Sequence, residues 1–231
     1  MAEYVKGIDV SRWQGGIDWK AVKEDGVRFA FIKAGGSDAG LYIDPYFAEN
    51  MRAAHSQGIR LGAYYYVGPN CVTYEDGHAD GARMVHICEA FRDYITLPLI
   101  IDFEAPPASD RAGNSAAVRG FCAAVTASGF EAGVYASEFS GFQERLNLAA
   151  LPDIFKWCAK WSAASPNTVD WSVWQQTSEG SVNGIGTPVD VDFFKPESWD
   201  ARFKSKDSKN EKLKAALAEL KRSMENVEAL L

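Results

Sequence analysis

The residues best suited to chemistry are two acids at the end of one apolar run, Leu97-Pro98-Leu99-Ile100-Ile101-Asp102-Phe103-Glu104. In a β-strand, residues i and i+2 face the same side. Asp102 and Glu104 therefore project together from the strand's C-terminal end, the end that carries the active site in α/β barrels. Two neighbouring carboxylates repel when both are ionised, which raises one pKa. A carboxylic acid kept protonated in this way serves as a general acid. An acidic pair at a strand end is also an ordinary salt-bridged feature, so the pair alone leaves both readings open. Asp9, in Gly7-Ile8-Asp9-Val10-Ser11, ends the first strand, and Asp190 and Asp192, in Pro188-Val189-Asp190-Val191-Asp192, end the last. In a closed barrel these strands are neighbours, and four or five acids meet at one rim. Gathering like charges without purpose is costly. A glycosidase acid pair explains the gathering, and so does an oxygen-ligand cation such as Ca2+ or Mg2+.

Other chemistries fare worse. Three His (His55, His78 and His86) are few for a zinc amidase and fall on helical segments, as surface or packing residues do. There is no Gly-x-Ser-x-Gly elbow and no P-loop. A net charge of −7 argues against a nucleic-acid partner, which needs a basic footprint. Four widely spaced Cys (Cys71, Cys88, Cys122 and Cys158) with no Cys-x-x-Cys pair read as reduced, buried thiols.

The elements that must position the acids alternate. Candidate strands are Val5–Val10, Phe29–Ala34, Leu61–Val67, Leu97–Phe103, Ala132–Ala136, Phe155–Lys160, Ser172–Gln176 and Val189–Asp192, several of them near-continuously apolar like buried parallel strands. Helical patterns cover Asp44–Gln57, Tyr74–Tyr94 and Ser115–Ser128, the first and last stopped by Gly58 and Gly129. Strand–helix repetition with eight strands predicts an α/β closed barrel. After Phe155 the helices thin out, so hairpins or loops join the last three strands.

With 231 residues the chain suits one large domain plus an appendage. The reading is a barrel over 1–203, a polar linker over 204–212 and an amphipathic helix over 213–231. Leu213, Leu217, Leu220, Met224, Val227 and Leu231 recur in steps of four and three, an a/d heptad seam. So short a helix is marginal alone; it forms a homo-oligomer, docks on the domain or is the stump of a larger protein. No run of about 18 apolar residues exists, so no membrane span is expected. MAEYVKGIDV lacks a charged region followed by an apolar one, so no secretory signal is expected.

Six segments carry a resemblance: GIDVSRWQGGIDW (7–19), FAFIKA (29–34), GAYYYV (62–67), IIDFE (100–104), GVYAS (133–137) and WSVWQQTSEGSVNGIGTPVDVD (171–192). In order and together they resemble glycoside hydrolase family 25, the muramidases of bacteria, fungi and phages. The resemblance implies an irregular (β/α)5β3 TIM-like barrel, here with a C-terminal helical tail. It implies cleavage of the β-1,4 bond between N-acetylmuramic acid and N-acetylglucosamine in bacterial peptidoglycan, with retention and without metal or cofactor. On matching positions it makes Glu104 the general acid/base and Asp102 its stabilising partner, with Asp9 and Asp190 completing the acidic rim. Lys33, Tyr64, Tyr66, Tyr135, Trp174 and, behind them, Asp192 are the implied substrate-side residues. A wall-degrading enzyme without a signal is expected to leave the cytoplasm during phage lysis.

Two departures stand out. The family usually follows Lys-Ala with Thr or Ser and then Glu-Gly, whereas this chain has Lys33-Ala34-Gly35-Gly36-Ser37. The usual Tyr-His-Phe of the third strand is Tyr64-Tyr65-Tyr66. Both bear on substrate preference. The missing Glu also motivates a second reading, a catalytically silent barrel that binds cell-wall glycan. Strand spacing puts the carboxyls near the border between retaining and inverting geometry. The expected mechanism is therefore attack by the substrate's own N-acetyl group, oriented by Asp102, with acid assistance from Glu104.

Overall fold

The computed structural model describes residues 4–151, 154–203, 217 and 221. The chain divides into two units, Val5–Phe194 and a smaller one made of Met1–Tyr4 with Lys195–Leu231. In the smaller unit a helix covers 196–203, with the Trp199 and Phe203 rings 4.5 Å apart. The linker at 204–212 lies outside the described residues, as does the heptad segment 213–231 apart from Leu217 and Lys221, both helical.

The larger unit is a barrel. Its strands are β1 (Val5–Val10), β2 (Phe29–Gly36), β3 (Tyr42–Ile43), β4 (Arg60–Tyr66), β5 (Ile95–Asp102), β6 (Ala132–Ser137), β7 (Phe155–Ala159), β8 (Val173–Gly180) and β9 (Val189–Phe194). The order is β1-β9-β8-β7-β6-β5-β4-β2, closed by β1 against β2, with β3 hung on the outer end of β2. Around the barrel, pairing is parallel among β1, β2 and β4 through β8, while β9 runs antiparallel to both β8 and β1 and β3 runs antiparallel to β2. This is the expected closure: the first and last strands are neighbours, and Asp9 lies directly opposite Asp190.

Alternation along the strands makes two cores. Inside the barrel, Phe31 stacks on Trp157 at 4.6 Å and Phe29 meets Phe194 edge-on at 5.5 Å. Space for these rings comes from small residues directly paired with them on neighbouring strands. A β-carbon at Gly7 would lie 2.3 Å from the Phe29 ring, and one at Gly62 would lie 2.4 Å from Phe31. The outward residues Ile8, Val10, Ile32, Leu99 and Ile101 form a second core with Met51, Met84, Val118 and Phe121 of the surrounding helices.

Those helices are α1 (Trp19–Glu24), α2 (Phe47–Ser56), α3 (Tyr74–Cys88) and α4 (Arg111–Ala127). Local chemistry moves three boundaries from the sequence reading. Helix α2 begins at Phe47 because the Asp44 carboxylate instead accepts from the Tyr46 and Arg12 backbone N–H groups. Helix α3 ends at Cys88, and a 3-10 segment, Glu89–Tyr94, continues it across a kink at Phe91. Helix α4 starts early, at Arg111, because Asp110 caps the Gly113 N–H. Between β6 and β7 stand a π-helical turn, Glu138–Gln143, and a 3-10 turn, Leu148–Ala150. All four Cys are free and buried.

Gly35 and Gly36, where the Glu of the resembled pattern is missing, belong to the hairpin of β2 with β3. The Glu position itself falls on Gly36, where a β-carbon would sit 2.6 Å from the Tyr42 hydroxyl and 2.7 Å from the Tyr66 carbonyl. The Tyr42 hydroxyl, the Tyr66 backbone and the Asp38 carboxylate occupy that place.

Candidate active site

Asp102 is the last residue of β5 and pairs with Tyr66 on β4 and Tyr135 on β6. The ladder continues one step further, since the Phe103 N–H donates to the Tyr135 carbonyl at 3.0 Å. Phe103 thus turns outward into the helical layer, and Glu104 returns to the open side. Asp102 is only 6% exposed, and its Oδ1 has no hydrogen-bond partner. Glu104 stands exposed at the cleft mouth.

The electrostatics keep protons here. Burial raises the Asp102 pKa well above its usual value, and Glu104 adds to this, while the Lys33 ammonium opposes both. The protein crowded around the Glu104 carboxyl raises its pKa too, with Lys33 and Arg145 opposing. Lys33 lies over the Tyr66 ring at 4.7 Å and over the Tyr64 ring at 5.8 Å, in cation–π range.

Across the rim, Asp9 is buried, and its pKa is raised by that burial and by Asp190 and Asp192. Its Oδ2 accepts from Gln175 Nε2 at 2.8 Å. The Gln175 Oε1 accepts from the Tyr135 hydroxyl at 2.9 Å and from Trp161 Nε1 at 3.0 Å. One amide therefore ties β1, β6 and the loop after β7 together. Asp190 is half-buried, and burial raises its pKa to about 6. Asp192 is fully buried and accepts from Trp157 Nε1 at 2.8 Å.

A cleft of about 360 Å³ joins these groups. It gathers Asp9, Asp102, Glu104, Asp190, Lys33, Tyr64, Tyr66 and Tyr135, all read from the sequence. Two implied contact residues do not line it. Asp192 lies beneath the wall, held by Trp157. Trp174 points the opposite way from Gln175 on β8, packs on Trp171 and Phe193, and donates to the Lys160 carbonyl at 2.8 Å. Strand alternation sends it to the outer core.

Residues that sequence reasoning missed are Gln175, Trp157, Arg145 and the two exposed rim tryptophans, Trp13 (71%) and Trp161 (64%). Strand parity holds a signal for the first two: Gln175 shares a face with Val173, and Trp157 with Phe155. Trp13 is fixed by a capping box between Ser11 and Gln14. The loop carrying Trp161 is fixed by buried Glu138. Its Oε1 accepts from the Asn167 and Thr168 N–H groups, and its Oε2 sits 3.0 Å from Lys160 Nζ. Burial disfavours the Glu138 charge, but the pairing with Lys160 and these donors outweighs it and lowers the pKa.

A second lobe, also about 360 Å³, opens on the other side of Glu104. It shares Glu104, Tyr135 and Trp161 with the first and adds Ser137, Ser140 and Arg145. Among the described residues, no group of three or more His, Cys, Asp or Glu is arranged to hold a metal ion. The three His lie outside both lobes; His55 stacks on Tyr94 at 3.9 Å.

A barrel with an acid pair at its strand ends, flanked by exposed aromatic rings, defines the class: a glycoside hydrolase. The chain belongs to the family described as glycosyl hydrolases family 25, whose model matches residues 8–185. It is 32% identical over 204 residues to lysozyme M1 of Streptomyces globisporus, covering 82% of this chain and 67% of that protein. It is 31% identical over 196 residues to the autolytic lysozyme of Clostridium acetobutylicum, covering 82% of this chain and 56% of that one. The crystal structure of the bacterial lysozyme from Streptomyces coelicolor superposes with a TM-score of 0.66 at 25% identity, covering 84% of this chain and 93% of that one. The catalytic domain of endolysin ply40 from bacteriophage P40 of Listeria monocytogenes shares the fold, with a TM-score of 0.72 at 21% identity over 87% and 98% of the two chains.

Proposed function

We propose that this enzyme is a muramidase that hydrolyses the β-1,4 bond between N-acetylmuramic acid and N-acetylglucosamine in peptidoglycan, with retention of configuration. Membership of the family and likeness to two lysozymes support peptidoglycan hydrolysis. The observation that carries the chemistry is the Asp102–Glu104 pair, two carboxyls of raised pKa on one strand end.

In this reading Glu104, protonated, gives its proton to the glycosidic oxygen as the C1–O bond breaks. Asp102 accepts, at its unpartnered Oδ1, a hydrogen bond from the N–H of the substrate's 2-acetamido group. The acetamido carbonyl oxygen then attacks C1 as the leaving sugar departs. Water next adds to C1 as the bond from C1 to the acetamido oxygen breaks, which restores the acetamido group, and the water gives its proton to the Glu104 carboxylate, which restores the acid. The buried, unpartnered Asp102 Oδ1 supports this acceptor role. Asp9 and Asp190 form the facing acidic wall. Trp13 and Trp161 offer their faces to sugar rings.

The test is release of reducing ends and loss of turbidity from purified cell walls. Glu104→Gln is expected to lower kcat by at least about 10²-fold, in the range of general acid catalysis. A Glu104→Gln protein that clears walls at near wild-type rate overturns the acid assignment. NMR of the first product anomer tests retention, and an initial α-anomer overturns it. Binding to walls without new reducing ends would instead establish the silent glycan-binding barrel.

A further inference from the structure

We propose that the second lobe is an anion-reading subsite in which Arg145, with Ser137 and Ser140, binds a carboxylate carried by the substrate. This rests on the reading of the substrate as peptidoglycan. The lobe has one cation, Arg145, and one acid, Glu104. Glu104 must be protonated to act as a general acid, so in the competent enzyme the guanidinium charge is uncompensated within the lobe. Among the described residues, no carboxylate forms an ion pair with Arg145. Lys33, the other cation acting on Glu104, sits instead in the first lobe among Asp102 and the tyrosines.

Arg145 is also held in place. Its Nε donates to the Pro106 carbonyl, its backbone N–H donates to Gly141 O at 3.0 Å, and its carbonyl accepts from Asn114 Nδ2 at 3.2 Å. The next residue is fixed as well, since Arg111 NH2 donates to the Leu146 carbonyl. With Nε tied, the terminal nitrogens are the part free to meet a ligand. Ser137 and Ser140, whose hydroxyls lie 2.6 Å apart, supply neutral donors in the same lobe. A fixed guanidinium with hydroxyls recognises carboxylates by charge-assisted hydrogen bonds. A plain N-acetylglucosamine polymer has no such group. Peptidoglycan has two kinds, the lactyl carboxylate of muramic acid when unsubstituted and the carboxylates of the peptide stem.

The experiment compares kcat/KM on four soluble glycan strands. Two carry peptide stems and two are stripped of peptide to free the lactyl carboxylate; one of each pair is capped as the carboxamide. Wild type is expected to prefer the free carboxylate about tenfold in at least one pair, the worth of one charge-assisted hydrogen bond. A preference in the stripped pair assigns the lactyl group, and one confined to the stem-bearing pair assigns the stem. Arg145→Gln should bring the ratio near one, and Arg145→Lys should keep part of it. Because Arg145 also bears on the Glu104 pKa, the readout is the ratio between substrates, in which a change of acid strength cancels. The double substitution Ser137→Ala, Ser140→Ala should lower the ratio as well, and serves if Arg145→Gln does not fold. Equal rates on free and capped strands in both pairs, or a ratio that survives Arg145→Gln, overturns the subsite. A wild-type protein that cleaves none of the strands overturns the muramidase reading instead.

Discussion

At the scale of single residues, the acids govern the pH response. In the proposed mechanism Glu104 acts protonated, so kcat/KM is expected to fall as pH rises through its folded pKa, which crowding holds above the usual glutamate range. Arg145 favours the ionised form. Removing its charge in Arg145→Gln should therefore move the basic limb to higher pH, as a pH–rate profile on one soluble substrate would read; a shift to lower pH contradicts the assignment. Gln175 matters differently. Gln175→Leu strands the Asp9 carboxyl and the Tyr135 hydroxyl, and is expected to cost about 1–3 kcal/mol in denaturant unfolding. The acids were legible in the sequence because the i, i+2 rule needs only one strand. Gln175 was not, because its three partners come from three distant segments.

At the scale of elements, two glycine-bearing helices back the strands that carry the site. Helix α3 packs on β2 and β4, helix α4 packs on β5 and β6, and the two helices approach backbone to backbone. A β-carbon at Gly77 would lie 1.8 Å from the Ala117 carbonyl, and one at Gly120 would lie 2.0 Å from that of Tyr74. Gly77→Val is thus expected to destabilise the fold by about 1–3 kcal/mol, lowering the thermal midpoint. Activity per folded molecule should drop with it, because separating the helices displaces α4 against β5. All eight barrel strands were legible from apolar runs, while α1 and β3 were not. Helix α1 is short and owes its start to the Asp18 side chain, which accepts from the Lys20 and Ala21 N–H groups. Strand β3 is two residues long and is defined by its pairing with Gly35 and Gly36.

At the scale of the whole molecule, stability should depend on pH through the buried acids. An acid whose pKa is higher folded than unfolded holds its proton more tightly in the native state. Its stabilising effect is complete below the unfolded value and is lost as pH rises through the folded one. For Asp190 that window runs from 3.8 to about 6, and Asp9, Asp102 and Asp192 shift in the same direction. Glu138 has the opposite sign, so its contribution is lost on acidification. The thermal midpoint is expected to decline as pH rises from 3.8 through about 6, with a shallower decline in Asp190→Asn. A midpoint that rises steadily over that range contradicts the burial of these carboxyls.

The aromatic filling of the barrel has one more consequence. With Phe29, Phe31, Trp157 and Phe194 stoppering the lumen, the groove is a dead end, and Glu104 stands between its two lobes. A polymer cannot be threaded through such a body; it must be straddled from the side and let go by the same route. Scission should therefore fall at interior bonds, so that average strand length collapses while few small fragments have yet accumulated.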